Sequence, residues 1–372
     1  MSSKILKSFG SLLAAGIILS PGVADACSSF VLRNDDKSFV YARTFEFGFS
    51  LEEQLALIPR NFAYKGVGPD GVEGSGLNWT GKYAILGTRI FGLPIVIDGM
   101  NEKGLTGGML YAPTTAVFQN PTGADAKNSI ASYQLINYIL SNFATTDEVK
   151  EGLPKIFVAG PDLKAFNGVP RVHVTLHDLQ GKSIVIEYLN GNLVITDNPV
   201  GAMTNDPPMS WHLENVNNYV NLSAFGAPNR VFAGETFGPQ SIGSGLHGLP
   251  GDFSSPSRFL RAFFFSQYAQ EYAKQVPKVE AAWNMINMFD IPPGSAMVDT
   301  EEQAEAKLKA GKDPEYDYTT HTVVADSQNL TYYYRPYGSL NISRVDMKTQ
   351  DLDAKDVKTW PVQTGTVYQE LK

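Results

Sequence analysis

The chain has 372 residues, with 30 Lys and Arg against 38 Asp and Glu, for a net charge of −8. With 43% hydrophobic and 18% charged residues it has the composition of a folded globular protein, which excludes a disordered chain. The acidic balance argues against a phosphate-backbone footprint, so nucleic acid is not an expected partner. Cys27 is the single cysteine, which excludes an intramolecular disulfide and any multi-cysteine metal centre.

The first 26 residues read as an export signal. Lys4 and Lys7 precede a short apolar run over 12–19, Ser20-Pro21-Gly22 breaks it, and Ala24-Asp25-Ala26 fits a signal peptidase site. The run is too short to span a membrane. The expected product is a periplasmic or secreted single domain over 27–372, since no linker or composition break divides the rest.

Cleavage there makes Cys27 the N-terminal residue, and three fates compete. A bacterial lipoprotein would lipidate it and bind a small ligand at the envelope, but Ala24 and Asp25 fit that signal poorly. A lone buried thiol is the bland alternative. The third is an N-terminal nucleophile: its own α-amine, with a reference pKa of about 7.7–8.0, can accept the thiol proton, so no histidine partner is required.

After Cys27, strands are expected at 29–32 and 39–42 around the turn Asn34-Asp35-Asp36-Lys37, then at 83–88, 94–98 and 105–111. A helix is expected over 127–143 from Tyr133, Ile136, Leu140 and Phe143, followed by a capping box at Thr145 and Glu148. Strands follow at 172–177, 183–188 and 192–196, separated by Gln180-Gly181 and Asn190-Gly191. Ser255-Pro256 opens a helix carrying Phe259, Leu260, Phe263 and Phe264. A further helix carries Val279, Ala282, Trp283, Ile286 and Phe289 and stops at Pro292-Pro293-Gly294. A last hairpin joins 319–325 to 330–334. This interleaving predicts an α+β fold of two packed sheets with helices on their outer faces.

Generic motifs exclude more than they assign. Gly66-Val67-Gly68-Pro69-Asp70-Gly71 matches G-x-G-x-x-G in letter but lacks the preceding strand and following helix of a dinucleotide site. There is no G-x-S-x-G elbow or G-K-[ST] loop. His173 and His177 share a strand face, a weak pattern for a metal pair, and no metal site is expected. An N-terminal thiol needs charged groups to orient it, donors for an oxyanion and a pocket for the acyl group. Three segments can supply these. In Ala42-Arg43-Thr44-Phe45-Glu46-Phe47-Gly48, Arg43 would favour the thiolate, while Glu46 could hold the α-amine or neutralise Arg43. An alternative for this pair is a solvated surface ion pair. In Met203-Thr204-Asn205-Asp206-Pro207-Pro208, the Asn205 carboxamide can donate to an oxyanion, although such a segment is also an ordinary Asx turn. The run over 248–259 places Arg258 in the first turn of a helix, where a cation is unfavourable for the helix alone.

Cys27, A-R-T-F-E-F-G, the run DGMNEKGLTGGMLYAP over 98–113, N-P-V-G-A-M-T-N-D-P and G-L-P-G-D-F-S-S-P-S-R-F resemble, in this order, the choloylglycine hydrolase family of penicillin V acylases and conjugated bile salt hydrolases. The resemblance implies a four-layer αββα N-terminal nucleophile hydrolase that cleaves a linear amide of a small-molecule substrate. It also implies no metal or organic cofactor, and commonly a homotetramer. It makes Cys27 the nucleophile, Arg43 and Arg258 its flanking cations, and Asn205 with the Tyr111 N–H the oxyanion donors. Glu46 stands where the family often has Asp. Tyr111 stands where bile salt hydrolases usually have Asn, which resembles the penicillin V acylases; bile salt and N-acyl homoserine lactone amides are the alternative substrates.

Overall fold

The computed structural model of the chain describes residues 26–371. The leader reading therefore lies outside the described residues, apart from Ala26.

Two antiparallel sheets form the centre. The first runs Ser28–Arg33, Phe39–Phe47, Tyr316–Asp326, Thr331–Pro336, Ser343–Asp346. The second has eight strands, in the order Asn192–Asp197, Ser183–Leu189, Val172–His177, Thr106–Tyr111, Val96–Asn101, Ile85–Arg89, Gln54–Ile58, Lys358–Trp360. Helices Ser255–Tyr272 and Lys278–Ile286 pack on the first sheet, and Leu135–Asn142 packs on the second. The arrangement is the expected α+β, four-layer αββα sandwich.

This layering explains the strand Phe39–Phe47, whose nine residues are all buried. One face of the strand meets the second sheet and the other lies under helices, so alternation of apolar and polar residues no longer reports exposure. Its polar members Arg43, Thr44 and Glu46 are enclosed with the rest.

Several boundaries differ from the sequence expectation. The stretch 127–143 is not one helix: Ser129–Ala131 is a strand paired with Phe157–Ala159, then a 3-10 turn leads into Leu135–Asn142. Gln134 breaks the helix, its side chain accepting from the N–H of Val67 (2.9 Å). The helix after residue 250 has Ser254, not Ser255, as its N-cap, because Asp252 accepts from the Ser254 N–H (2.9 Å) and the Ser257 hydroxyl (2.7 Å). Thr145 does cap its helix, but Glu148 accepts from the Ala144 N–H (2.7 Å). The strand expected at 319–325 spans Tyr316–Asp326, with a register shift between Thr319 and His321. Gly66 to Gly71 lies in a turn-rich loop in which Val67 bridges Glu73, not in a strand-to-helix turn. Among the described residues, no helix is long and apolar enough to cross a membrane.

The sheets approach closely where Gly108 faces Arg43. A Cβ at Gly108 would lie 2.8 Å from Arg43 Nη1, 2.9 Å from the Tyr41 hydroxyl and 3.0 Å from Asp98 Cβ. Glycine is required there by Arg43 and Tyr41 of the facing sheet and by Asp98 of the neighbouring strand. Gly108→Ala is therefore expected to destabilise the fold by about 1–3 kcal/mol, through overpacking against groups that cannot retreat, as read by urea denaturation.

Candidate active site

The site begins as a ladder register. Ser29 and Met203 exchange both backbone hydrogen bonds, at 2.8 and 3.0 Å. Two residues further along each chain, Cys27 and Asn205 fall opposite one another, and the Cys27 N–H donates to Asn205 Oδ1 at 2.7 Å. The residue carrying the thiol and the residue carrying the carboxamide are thus register partners, although 178 positions separate them.

Strand alternation then divides the surroundings between two faces. Arg43 lies on the face toward the second sheet. Its Nη2 is 3.6 Å from Cys27 Sγ and also donates to Met109 O, while Nη1 donates to Ile97 O and Asp98 Oδ2, each at 2.9 Å. Arg43 and Asp98 are both fully buried. Burial disfavours the Arg43 charge, but Cys27 as thiolate and Asp98 outweigh it, so the guanidinium is held above its ordinary value. Asp98 is pushed up by burial against the opposing pull of Arg43, and it also accepts from the Tyr332 hydroxyl. A buried cation 3.6 Å from sulfur is a physical reason for the thiol to ionise.

Arg258 reaches the other face from its helix. It donates to Cys27 O, Ser28 Oγ (2.8 Å), Asn205 Oδ1 (2.8 Å) and Phe253 O (2.8 Å). Asn205 Oδ1 therefore accepts from both Cys27 and Arg258, which turns its Nδ2 toward Tyr111 O at 2.8 Å. The Ala112 N–H is spent on Arg171 O (2.8 Å). By alternation, the N–H and C=O of Tyr111 point away from the strand Val172–His177, to the side of Asn205. The two expected oxyanion donors thus face one region beside Cys27.

Asn205 is held from below by residues that the sequence reading did not assign. His212 Nε2 lies 3.0 Å from Asn205 O and His173 Nε2 lies 2.8 Å from Thr204 O. A carbonyl only accepts, so both Nε2 atoms carry the proton. Burial pushes His212 down to about 4, which keeps it neutral in this role. Glu187 Oε1 accepts from the Met209 N–H (3.0 Å) and lies 3.8 Å from His173 Nδ1. Asp206 accepts from the N–H and hydroxyl of Thr114 (2.8 and 2.7 Å). His173 and His177 do not act as a pair, since His177 bonds Ser183 (2.6 Å).

Glu46 departs from one expectation. Three residues along a strand from Arg43, it lies on the opposite face, so it does not neutralise Arg43; Asp98 does. Nor is the pair solvated, as both side chains are fully buried. Glu46 Oε1 accepts from Thr319 (2.7 Å), and burial pushes its carboxyl up to about 8 against the pull of Arg258. Asp98 opens the quoted run over 98–113 but was given no role, because its partner Arg43 is distant in the chain; the signal available was a lone Asp after the apolar strand run Ile95-Val96-Ile97.

Cys27 opens on an apolar pocket walled by Phe45, Phe47, Tyr111, Tyr133 and Phe166. Phe47 meets Tyr111 edge-on (centroids 6.3 Å) and Phe166 at 5.6 Å. Such walls suit an apolar, ring-bearing group held against the thiol. Removing Asp98 tests the clamp behind it. Asp98→Asn leaves Arg43 buried without a counter-charge and is expected to destabilise the protein by about 3–5 kcal/mol in chemical denaturation.

Comparison with known proteins identifies this arrangement. Residues 27–360 match the model of the linear amide C–N hydrolases, choloylglycine hydrolase family. The chain is 30% identical over 338 residues to a bile salt hydrolase/transferase of Clostridium perfringens, covering 90% of this chain and 96% of that protein. It is 25% identical over 370 residues to a penicillin V acylase of Pectobacterium atrosepticum, covering 93% and 88%. A crystal structure of a mutant conjugated bile acid hydrolase from Clostridium perfringens superposes with a TM-score of 0.80 at 28% identity, covering 93% of this chain and all of that one. A sandwich whose glycine-lined sheet encloses Arg43 and Asp98 beside a cysteine, and a match spanning nearly the whole described chain, lead to one conclusion: this protein belongs to the choloylglycine hydrolase family and is a hydrolase of linear amide C–N bonds.

Proposed function

We propose that Cys27, made N-terminal by removal of residues 1–26 during export to the periplasm or beyond, is the nucleophile of a penicillin V acylase-like amidase. The observation that carries this reading is the Cys27 thiol itself, 3.6 Å from the Arg43 guanidinium and open to an aromatic pocket. The thiolate attacks the amide carbon, and the tetrahedral oxyanion takes hydrogen bonds from Asn205 Nδ2 and the Tyr111 N–H. The Cys27 α-amine carries the thiol proton to the leaving amine, which departs as the C–N bond breaks and leaves a thioester. Water, deprotonated by the same α-amine, then releases the acid and restores the thiol. Arg258 fixes the Cys27 carbonyl and Asn205 Oδ1 throughout, and Glu46, held by Thr319, lies behind them on the helix side of the strand.

Substrate choice follows from the walls. Phe47, Tyr111 and Phe166 form a compact aromatic cluster suited to a flat phenoxyacetyl group. A bile salt is the second reading, favoured by the 30% identity to the Clostridium perfringens enzyme. Assembly as a homotetramer is part of the proposal, supported by the exposed apolar Val231, Phe232, Phe237 and Ile242 over 230–242.

Release of primary amine by the mature protein, its N-terminal residue verified by intact mass, decides among substrates. Faster turnover of penicillin V than of glycocholate or taurocholate is expected, and the reverse order would overturn the phenoxyacetyl assignment. Cys27→Ser should lower kcat/KM by at least about 10²-fold, since a hydroxyl is a far weaker nucleophile beside the same base. Retention of most of the activity would sink the mechanism.

A further inference from the structure

Arg258 poses a problem of charge. It is almost completely buried, and its guanidinium donates only to neutral acceptors: three backbone or hydroxyl oxygens and one carboxamide. Among the described residues no carboxylate stands within ion-pair distance of it, whereas Arg43 has Asp98 at 2.9 Å. A buried cation needs its counter-charge nearby.

Two carboxyl groups lie near enough to act on its charge. Glu46 is one. The other is Asp317, fully buried on the strand Tyr316–Asp326, with neither oxygen hydrogen-bonded within the protein. Asp317 precedes Thr319 by two residues and so shares its face, on which Thr319 bonds Glu46. Its carboxylate sits over the end of the neighbouring strand, where a Cβ on Gly48 would lie 3.4 Å from Asp317 Oδ1. Burial pushes Asp317 up to about 7, with Arg258 pulling the other way. The remaining charges at this layer are Arg261 on the helix and Asp290, and Asp290 is already paired with Arg335 at 2.6 Å.

We propose that Asp317 is a positioning residue of the amide hydrolysis: together with Glu46 it forms the buried counter-charge that holds Arg258 and the Cys27 α-ammonium beneath the nucleophile. This rests on Cys27 being the N-terminal nucleophile. While Cys27 is inside an uncut chain, Arg258 is the cation shared by the two carboxyls, Arg261 being turned to the carbonyls of Pro250 and Asp252 at 2.8 Å, so one carboxyl keeps a proton. Exposure of the α-amine adds a second cation and both carboxyls ionise. Arg258 and the Cys27 nitrogen meet on the same acceptor, Asn205 Oδ1, at 2.8 and 2.7 Å, so a loss of charge below is felt at the thiol end and at the oxyanion end.

The test uses mature protein carrying Asp317→Asn, a change that breaks no hydrogen bond within the protein. The rate of Cys27 alkylation by iodoacetamide against pH reads the site without any substrate. Removing a nearby anion favours thiolate and disfavours ammonium, so the midpoint should move to lower pH by about half a unit or more. With the amide substrate, kcat should fall about tenfold while KM changes less than about twofold, because Asp317 touches no substrate. Asp317→Glu, which keeps the charge, should return both readings toward wild type. An unchanged alkylation midpoint in Asp317→Asn, or a shift that Asp317→Glu does not reverse, overturns the proposal. A wild-type protein whose Cys27 is not N-terminal, or that turns over no amide, would instead count against the proposed function, and the alkylation series separates the two.

Discussion

A guanidinium enclosed between two sheets is the constraint on which the rest of this molecule depends. Arg43 has no access to solvent, so each of its contacts must be supplied by the protein. The second sheet answers with Asp98 and the carbonyls of Ile97 and Met109. Gly108 removes the Cβ that would occupy the same volume. The spacing of the sandwich, the glycines of its central strand and the position of the cation beside sulfur are therefore one solution, and none can change alone.

On the reverse face of the same strand the problem is solved differently. Arg258 is held by neutral acceptors that fix geometry, while charge compensation comes from Glu46 and Asp317 at longer range. The strand Phe39–Phe47 thus separates two electrostatic environments: a tight ion pair on the thiol side, and a looser one-cation, two-carboxyl group on the helix side. Alternation of side chains along a strand is sufficient to produce this division.

Much of this was legible in the sequence. Cys27, Arg43, Asn205, Arg258 and Tyr111 stand in runs of residues unusual enough to be recognised, and the structure gathers them around one point. The layered fold followed from strand groups interleaved with amphipathic stripes. What was not legible depends on partners distant in the chain. Asp98 meets Arg43 across 55 positions, and Asp317 stands 59 positions from Arg258 with no local pattern to mark it. His173 and His212 looked like a weak metal pattern and an unassigned residue, whereas each is a donor to one carbonyl of the segment that carries Asn205. The helix over 127–143 failed for a related reason, since Gln134 reaches a backbone group 67 positions away and ends the periodicity that its neighbours begin.

The rung between Ser29 and Met203 bears on how a start point is chosen along a chain. Ser28 and Ser29 follow Cys27 directly, and either hydroxyl could serve as an N-terminal nucleophile in another protein. Here Ser28 faces the helix layer, where Arg258 already holds its hydroxyl, and the Ser29 hydroxyl is bound to Met203 O. A cut displaced by one residue would carry the new amine about 3.5 Å along the strand and turn its side chain to the wrong surface. For the proposed N-terminal nucleophile the ladder admits Cys27 and neither neighbour, and it acts as the ruler that measures the cut.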